Sequence, residues 1–235
     1  LQFWFCRNPG LALPLIALQY HEVKVIVEFE QLKNLVRTGA TTGTDAAVDS
    51  SAFTASKKMS AKLWCDYVYL DTDERRRFAQ VSHEYLIEQV QFTGDETVSS
   101  GANKLRLNFN HPVKELMWVI KDSGEVDCNH FGYSATTTNA KLLLNGHDRI
   151  AERSGDYFNL VQPWQHHSRM PARNVYCYSF ALKPEEHQPS GTCNFSRIDN
   201  ATLSLTSSAA GTAKVFAVNY NVLRIMSGMG GLAYS

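Results

Sequence analysis

The sequence lacks any long run of like charge: 23 basic residues stand against 23 acidic ones, interspersed throughout. That balance argues against a surface built for nucleic-acid phosphates or anionic lipid. No apolar stretch approaches the roughly 20 residues that cross a bilayer, so membrane insertion is not expected. No signal peptide is visible, and no initiator Met stands before Leu1, where a strand-like run is already in progress; the expectation is a piece of a larger polypeptide. Helical periodicity is nearly absent. Gly-x-Ser-x-Gly, P-loop and dinucleotide fingerprints are missing, which removes the commonest routes to nucleophilic and nucleotide chemistry. Five cysteines (Cys6, Cys65, Cys128, Cys177, Cys193) form no CxxC pair and sit in strand-like contexts. They read as small buried thiols in a reducing compartment, in preference to a disulfide framework or a zinc site.

What the sequence does have is alternation. In Tyr20–Phe29, residues His21, Val23, Val25, Val27 and Phe29 fall on one face and Tyr20, Glu22, Lys24, Ile26 and Glu28 on the other. A period of two with one mostly apolar face is the pattern of a half-buried strand. Leu1–Cys6 and Leu63–Leu70 read the same way. Further strand signals cover Tyr85–Phe92, Lys104–Phe109, Val113–Lys121, Ala140–Leu144, Asn174–Leu182, Ala201–Thr206 and Lys214–Ile225, punctuated by Gly, Pro, Asn, Asp and Ser. Many short strands separated by turn residues predict an antiparallel sandwich or barrel. Residues 31–62 form a long polar connection without periodicity of its own.

The order of elements repeats. An aromatic strand at Phe3–Phe5, a turn at Pro9-Gly10, strand Tyr20–Phe29, a loop and strand Leu63–Leu70 open the chain. Tyr176–Phe180, a Pro189–Gly191 turn, Ala201–Thr206, a loop and Val215–Val222 close it. Two copies of one β domain follow from this order: residues 1–80 supply the last strands of a first copy, and residues 81–235 a complete second copy with room for eight strands. That count fits a jelly roll. The expected fold class is therefore all-β, a double jelly roll with the first roll partly present.

Candidate chemistry is sparse. His166-His167, with His130, His147 and His187 elsewhere, is the only histidine grouping, and neighbouring histidines in a strand point to opposite faces. A polar loop is the simpler reading, and neither a metal nor another cofactor is expected. Asp71, Asp73, Glu74, Arg75, Arg76 and Arg77 form the densest charge cluster; because both signs are present, it reads as a solvated, self-paired connector between domains. Gly228-Met-Gly-Gly231 follows a strand and precedes no helix, so it reads as a tight turn or tail, not an anion cradle. Asn194-Phe-Ser196 and Asn200-Ala-Thr202 are glycosylation sequons, relevant only where the chain meets a glycosyltransferase.

Several blocks are familiar. Phe3-Trp-Phe-Cys-Arg-Asn-Pro-Gly-Leu-Ala-Leu-Pro-Leu-Ile-Ala-Leu-Gln-Tyr-His-Glu-Val-Lys24, Tyr69-Leu-Asp-Thr-Asp-Glu-Arg-Arg-Arg-Phe-Ala79, Leu86-Ile-Glu-Gln-Val-Gln91, Pro189-Ser-Gly-Thr-Cys-Asn-Phe-Ser-Arg-Ile-Asp-Asn-Ala201 and the final run from Asn219 to Ser235 resemble the major capsid proteins of nucleocytoplasmic large DNA viruses, phycodnaviruses and iridoviruses among them. The resemblance extends over nearly the whole chain, in order. It implies two consecutive jelly rolls, residues preceding Leu1, and a native C-terminus at or beside Ser235. It also implies homotrimers of pseudo-hexagonal outline that tile an icosahedral shell with neighbouring capsomers and minor capsid proteins, in a virion assembled in the host cytoplasm. The expected function is structural, with no catalytic residue. The alternative is a carbohydrate-binding or cupin-like jelly-roll module, which requires a converging polar constellation that the sequence does not display.

Overall fold

A computed structural model of the chain describes residues 1–29, 60–122, 133, 136–171 and 174–234. They divide into two units: one from Leu1 to His83 with Ile225–Gly230, and one from Glu84 to Arg224 with the residues from Gly231 onward. Ten strands are described: β1 His83–Val98, β2 Gly101–Arg106, β3 Pro112–Asp122, β4 Thr137–Leu144, β5 His147–Ser154, β6 Tyr176–Ser179, β7 Cys193–Asn194, β8 Ala201–Ser207, β9 Gly211–Met226 and β10 Met229–Leu232. Helix α1 covers Thr72–Gln80, and a π-helical turn at Tyr157–Val161 leads into the short helix α2, Gln162–His166.

Eight of these strands make two facing sheets, in the orders β1-β9-β3-β6 and β2-β8-β4-β5; the short β7 adds to β3, and β10 to β9. Two antiparallel four-stranded layers with these crossovers form a jelly roll, and the eight-strand expectation holds. The core follows from alternation. Along β8, Ala201, Leu203 and Leu205 point inward, and their partners Leu105, Leu142 and Ala140 do the same. In the opposite sheet Leu116, Trp118 and Ile120 of β3 face Ala217, Val215 and Ala213 of β9 across the ladder. Small residues on β9 leave room for the Trp118 ring, which stacks on Tyr176 at 5.8 Å and meets Phe158 at 5.2 Å. Burying an aromatic of this size removes enough apolar area to contribute several kcal/mol, so this group anchors the roll.

Strand β5 carries no alternating apolar pattern in the sequence. Its residues, His-Asp-Arg-Ile-Ala-Glu-Arg-Ser, lie at the edge of their sheet and only Ile150 is half-buried. A charged edge strand has no apolar face to display, and charge there also discourages edge-to-edge pairing. Its position comes instead from the turn: Asn145 (φ 50°) and Gly146 (φ 80°) join β4 to β5. Asn-Gly with two positive φ values is the type I′ hairpin. Ser227 (φ 52°) and Gly228 (φ 82°) do the same between β9 and β10, so the Gly228-Met-Gly-Gly231 run opens as a tight turn. A Cβ on Gly228 would lie 2.5 Å from the Tyr20 ring, whose backbone N–H donates to the Gly228 carbonyl at 2.9 Å.

In the first 71 residues the described segments are not paired as strands. Trp4–Cys6 and Pro9–Leu11 are 3₁₀ turns, and Tyr20–Phe29 and Leu63–Leu70 carry no strand pairing. Ile26, Trp64 and Tyr69 are 85%, 89% and 91% exposed. Alternation prepares a chain for a sheet, but a strand exists only when its backbone groups meet a ladder partner, and none is present among the described residues. Most of the predicted loop 31–62 lies outside the described residues.

Candidate functional site

The charged cluster at 71–77 caps and fills helix α1, Thr72–Gln80. Asp71 caps it: its side chain accepts from the Glu74 N–H at 2.9 Å, and its carbonyl accepts from Arg75 N–H at 3.0 Å. Asp73 and Glu74 lie in the first turn and Arg77 in the last, so each charge complements the helix dipole. Arg76 reaches Asp73 at 3.9 Å, both side chains largely in water. All six predicted residues, Asp71, Asp73, Glu74, Arg75, Arg76 and Arg77, are exposed. The sequence signal for the helix is the Asp-x-x-Glu spacing of a capping box, which the density of charge around it obscures.

Asn194 and Asn200 are both exposed. The Asn194 side chain accepts from Ser196 N–H at 3.1 Å, capping the 3₁₀ turn Phe195–Arg197. The Asn200 side chain accepts from the Thr202 hydroxyl at 3.2 Å. The four described cysteines are free; Cys177 is buried, Cys193 half-buried, and Cys6 and Cys65 are exposed, contrary to the expectation that all were buried. Cys128 and His130 lie outside the described residues.

The histidine pair does diverge, though at the end of a helix and not along a strand. His166 Nδ1 faces the Leu182 carbonyl at 3.1 Å. His167 breaks the helix by turning extended (φ −115°, ψ 155°), and that turn carries its ring to a polar cluster the sequence did not reveal. Its Nε2 contacts a Glu115 carboxylate oxygen closely, and its Nδ1 faces Glu185 at 3.2 Å. Glu115 sits on β3 opposite Ser179 and diagonal to Cys177, which pairs with Met117. The register shift at Lys114 and the two-residue alternation place Glu115 on the face turned away from Trp118. Helix α2 is held over that face by buried Gln162, whose side-chain oxygen accepts from Ser179 N–H at 3.1 Å while its amide donates to the Tyr157 hydroxyl at 3.0 Å.

The Glu115 side chain is only 2% exposed and that of His167 16%. The Glu115 hydrogen bond pushes the His167 pKa up, against the opposing effect of burial, with further support from the Glu115 charge and from Glu185. Burial, then the Glu115 charge and hydrogen bond, push the Cys177 thiol far upward. Burial tends to raise Glu185, but hydrogen bonds from Ser168 and His167 outweigh it and leave it lowered. A second buried pair lies elsewhere in the same unit: the Lys114 ammonium stands 2.7 Å from a Glu88 carboxylate oxygen, lies over the Tyr220 ring at 5.2 Å, and has His187 at 3.8 Å from the same oxygen. Periodicity cannot find such groups, because they come from segments far apart in the chain and a charge on an apolar face looks like an interruption.

A cleft of about 280 Å³ in the first unit, between the end of α1 and the β9–β10 turn, is lined by residues such as Ala17, Gln80, Val81, Met226 and Gly228 and holds no titratable side chain. No described helix is long and apolar enough to cross a membrane.

A fold of two jelly-roll sheets is shared by many functions, so comparison with known proteins decides the family. The family model for the large eukaryotic DNA virus major capsid protein matches residues 74–231, and that for the major capsid protein N-terminus matches residues 1–71. The chain belongs to the large eukaryotic DNA virus major capsid protein family. The Pyramimonas orientalis virus major capsid protein is 58% identical over 259 residues, covering 100% of this chain and 60% of that protein. The major capsid protein of Paramecium bursaria Chlorella virus 1 is 44% identical over 296 residues, covering 100% of this chain and 65% of that one. The chain thus spans somewhat under two thirds of the length of these relatives. Among solved structures, PBCV-1 VP54, fitted into a reconstruction of the virophage Sputnik, superposes with a TM-score of 0.78 at 39% identity over 100% of this chain and 69% of VP54. The Faustovirus major capsid protein matches in fold alone, with a TM-score of 0.59 at 14% identity over 67% of this chain. The fold class is that of the double jelly-roll capsid proteins, with the second roll complete.

Proposed function

We propose that this chain works as a structural capsid subunit, forming homotrimeric capsomers of pseudo-hexagonal outline that tile an icosahedral shell. Its partners in this reading are copies of itself, neighbouring capsomers and minor capsid proteins, and its place is the virion capsid, assembled in the host cytoplasm. It performs no catalysis, binds no nucleic acid directly and inserts in no membrane. The single observation that carries the reading is the match to VP54 over the full length of this chain at 39% identity. Residues 1–80 then contribute the last strands of a first roll, whose remaining strands lie in the part of the family's length that this chain does not span. The exposed apolar residues of Tyr20–Phe29 and Leu63–Leu70 support this, because they have the pattern of sheet faces and lack a cover.

In this reading, helix α1 with Arg75, Arg76 and Arg77 joins the two rolls, and its exposed ion pairs set geometry more than affinity. Asn194 and Asn200 present accessible sequons for glycan attachment, which mass spectrometry of peptides from virions checks. The cupin-like alternative gains no support from the Glu115–His167 group, which sits on the outer face of its sheet and not between the two sheets. Light scattering with size-exclusion chromatography of the full-length protein tests the assignment. A stable trimer is expected; a monomer that turns over a sugar or organic substrate contradicts it.

A further inference from the structure

We propose that Glu115, His167 and Cys177 bind one Zn²⁺-class divalent cation on the outer face of the β3–β6 ladder, with Glu185 as the positioning residue for His167. The donor atoms of the first three residues, one carboxylate oxygen, one imidazole nitrogen and one thiol sulfur, all lie within 4.8 Å of one another. Zinc holds N and O donors at about 2.0–2.2 Å and S at about 2.3 Å, so ligands in a tetrahedral site stand about 3.3–3.8 Å apart. Rotamer adjustments of about 1 Å at the side-chain ends therefore convert the cluster into a coordination sphere, with a water in the fourth position.

Two features separate this group from an ordinary ion pair. First, the His167 ring is held at both ends: Nε2 toward Glu115, Nδ1 toward Glu185, whose other oxygen accepts from Ser168 N–H at 3.0 Å. A carboxylate that receives the distal N–H of a histidine while the other nitrogen binds metal is the recurrent outer-shell arrangement of zinc sites. Second, the donors come from rigid elements. Glu115 and Cys177 are diagonal neighbours on paired strands, and both are buried, at 2% and 4% exposure. The Cys177 thiol already points to Glu115, its hydrogen-bond partner, so all three donors converge on one point. Zinc favours thiolate and imidazole together, and the mixed S, N, O set selects it over Ca²⁺ or Mg²⁺, which take oxygen.

On binding, the cation replaces the Glu115–His167 hydrogen bond and the Cys177 S–H bond with metal bonds, and the displaced protons pass to solvent. One thiolate and one carboxylate then balance the charge of the dication. Such a site would tie the α2 segment to the sheet by coordination, in a protein whose described cysteines form no disulfide.

The test uses the full-length capsid protein, stripped with a chelator and dialysed against Zn²⁺ or Co²⁺. One Zn²⁺ retained per chain after desalting is expected, with affinity reduced at least tenfold in Cys177→Ser and in His167→Gln, and about tenfold in Glu185→Gln. The Co²⁺ form is expected to show a thiolate-to-cobalt charge-transfer band that Cys177→Ser abolishes and Cys193→Ser leaves in place. Absence of stoichiometric retained zinc in the wild-type protein overturns the proposal, as does a charge-transfer band unchanged by Cys177→Ser. If Cys177→Ser does not fold, the wild-type Co²⁺ spectrum and the Glu185→Gln affinity decide: no band, or unaltered affinity, overturns it.

Discussion

Tyr20–Phe29 and β8 (Ala201–Ser207) are written in the same alternating pattern, yet only one of them is a strand. In β8 every second residue is buried, because β2 and β4 flank it and supply both the hydrogen-bond ladder and the facing side chains. In Tyr20–Phe29 the same alternation leaves Val23, Val25, Val27 and Phe29 between 39% and 59% exposed. Pattern states which face a segment can bury; partners decide whether it does. The comparison teaches that a β segment is a property of a sheet and not of its own residues.

The sharpest way to break this comparison is to truncate a large aromatic on each side of it. Trp118→Ala removes the ring packed on Phe158 and Tyr176 and should cost about 3–5 kcal/mol, visible as a lowered urea midpoint. Trp64→Ala, at a residue 89% exposed, should change the stability of this chain by no more than about 0.5 kcal/mol. In the full-length protein the proposed first roll predicts that the same substitution costs several times more, because a partner strand would then cover the ring. Equal small costs in both contexts would remove the case for a covered first roll.

A next test concerns polar burial within the roll. His167→Ala leaves the 2%-exposed Glu115 carboxylate without its cationic partner and should cost about 3 kcal/mol in the same titration. A loss below about 1 kcal/mol would mean that water reaches Glu115 and that the outer face is looser than described.

Two hairpin turns give a smaller and more local contrast. Gly228→Ala meets both a left-handed backbone and the Tyr20 ring at 2.5 Å, so about 2 kcal/mol is expected. Gly146→Ala meets the same backbone with open space beyond, and about 1 kcal/mol should suffice. Similar costs at both positions would show that Tyr20 yields freely. Smallest in stability is helix α1: on the proposed connector role, replacing Arg75, Arg76 and Arg77 together by Ala should shift unfolding by under about 1 kcal/mol while reducing trimer or shell formation, read by light scattering. Normal assembly of the triple variant would remove α1 from the account of the interface.

Much of the second roll was legible because its central strands carry a period of two and its turns carry Gly, Asn and Pro. β5 escaped because an edge strand with Asp148, Arg149, Glu152 and Arg153 has no apolar face, although Asn145-Gly146 marked its turn. α1 is hard to read because Asp71 and Glu74, which cap it, sit in a cluster whose charges of both signs also fit a solvated loop. Of the Glu115–His167–Cys177 group only the histidine pair was visible in the sequence: Glu115 lies some fifty residues from His167, and the bulge at Lys114, the pairing of β3 with β6 and the end of α2 bring the three side chains together.

Amide hydrogen exchange on the full-length protein tests the central claim most directly, by comparing residues 20–29 and 63–70 with 201–207 and 215–222. The account predicts that all four segments are protected to a comparable degree, as paired strands of two rolls. Exchange of 20–29 and 63–70 at the rate of open chain, beside full protection of 201–207 and 215–222, would contradict it.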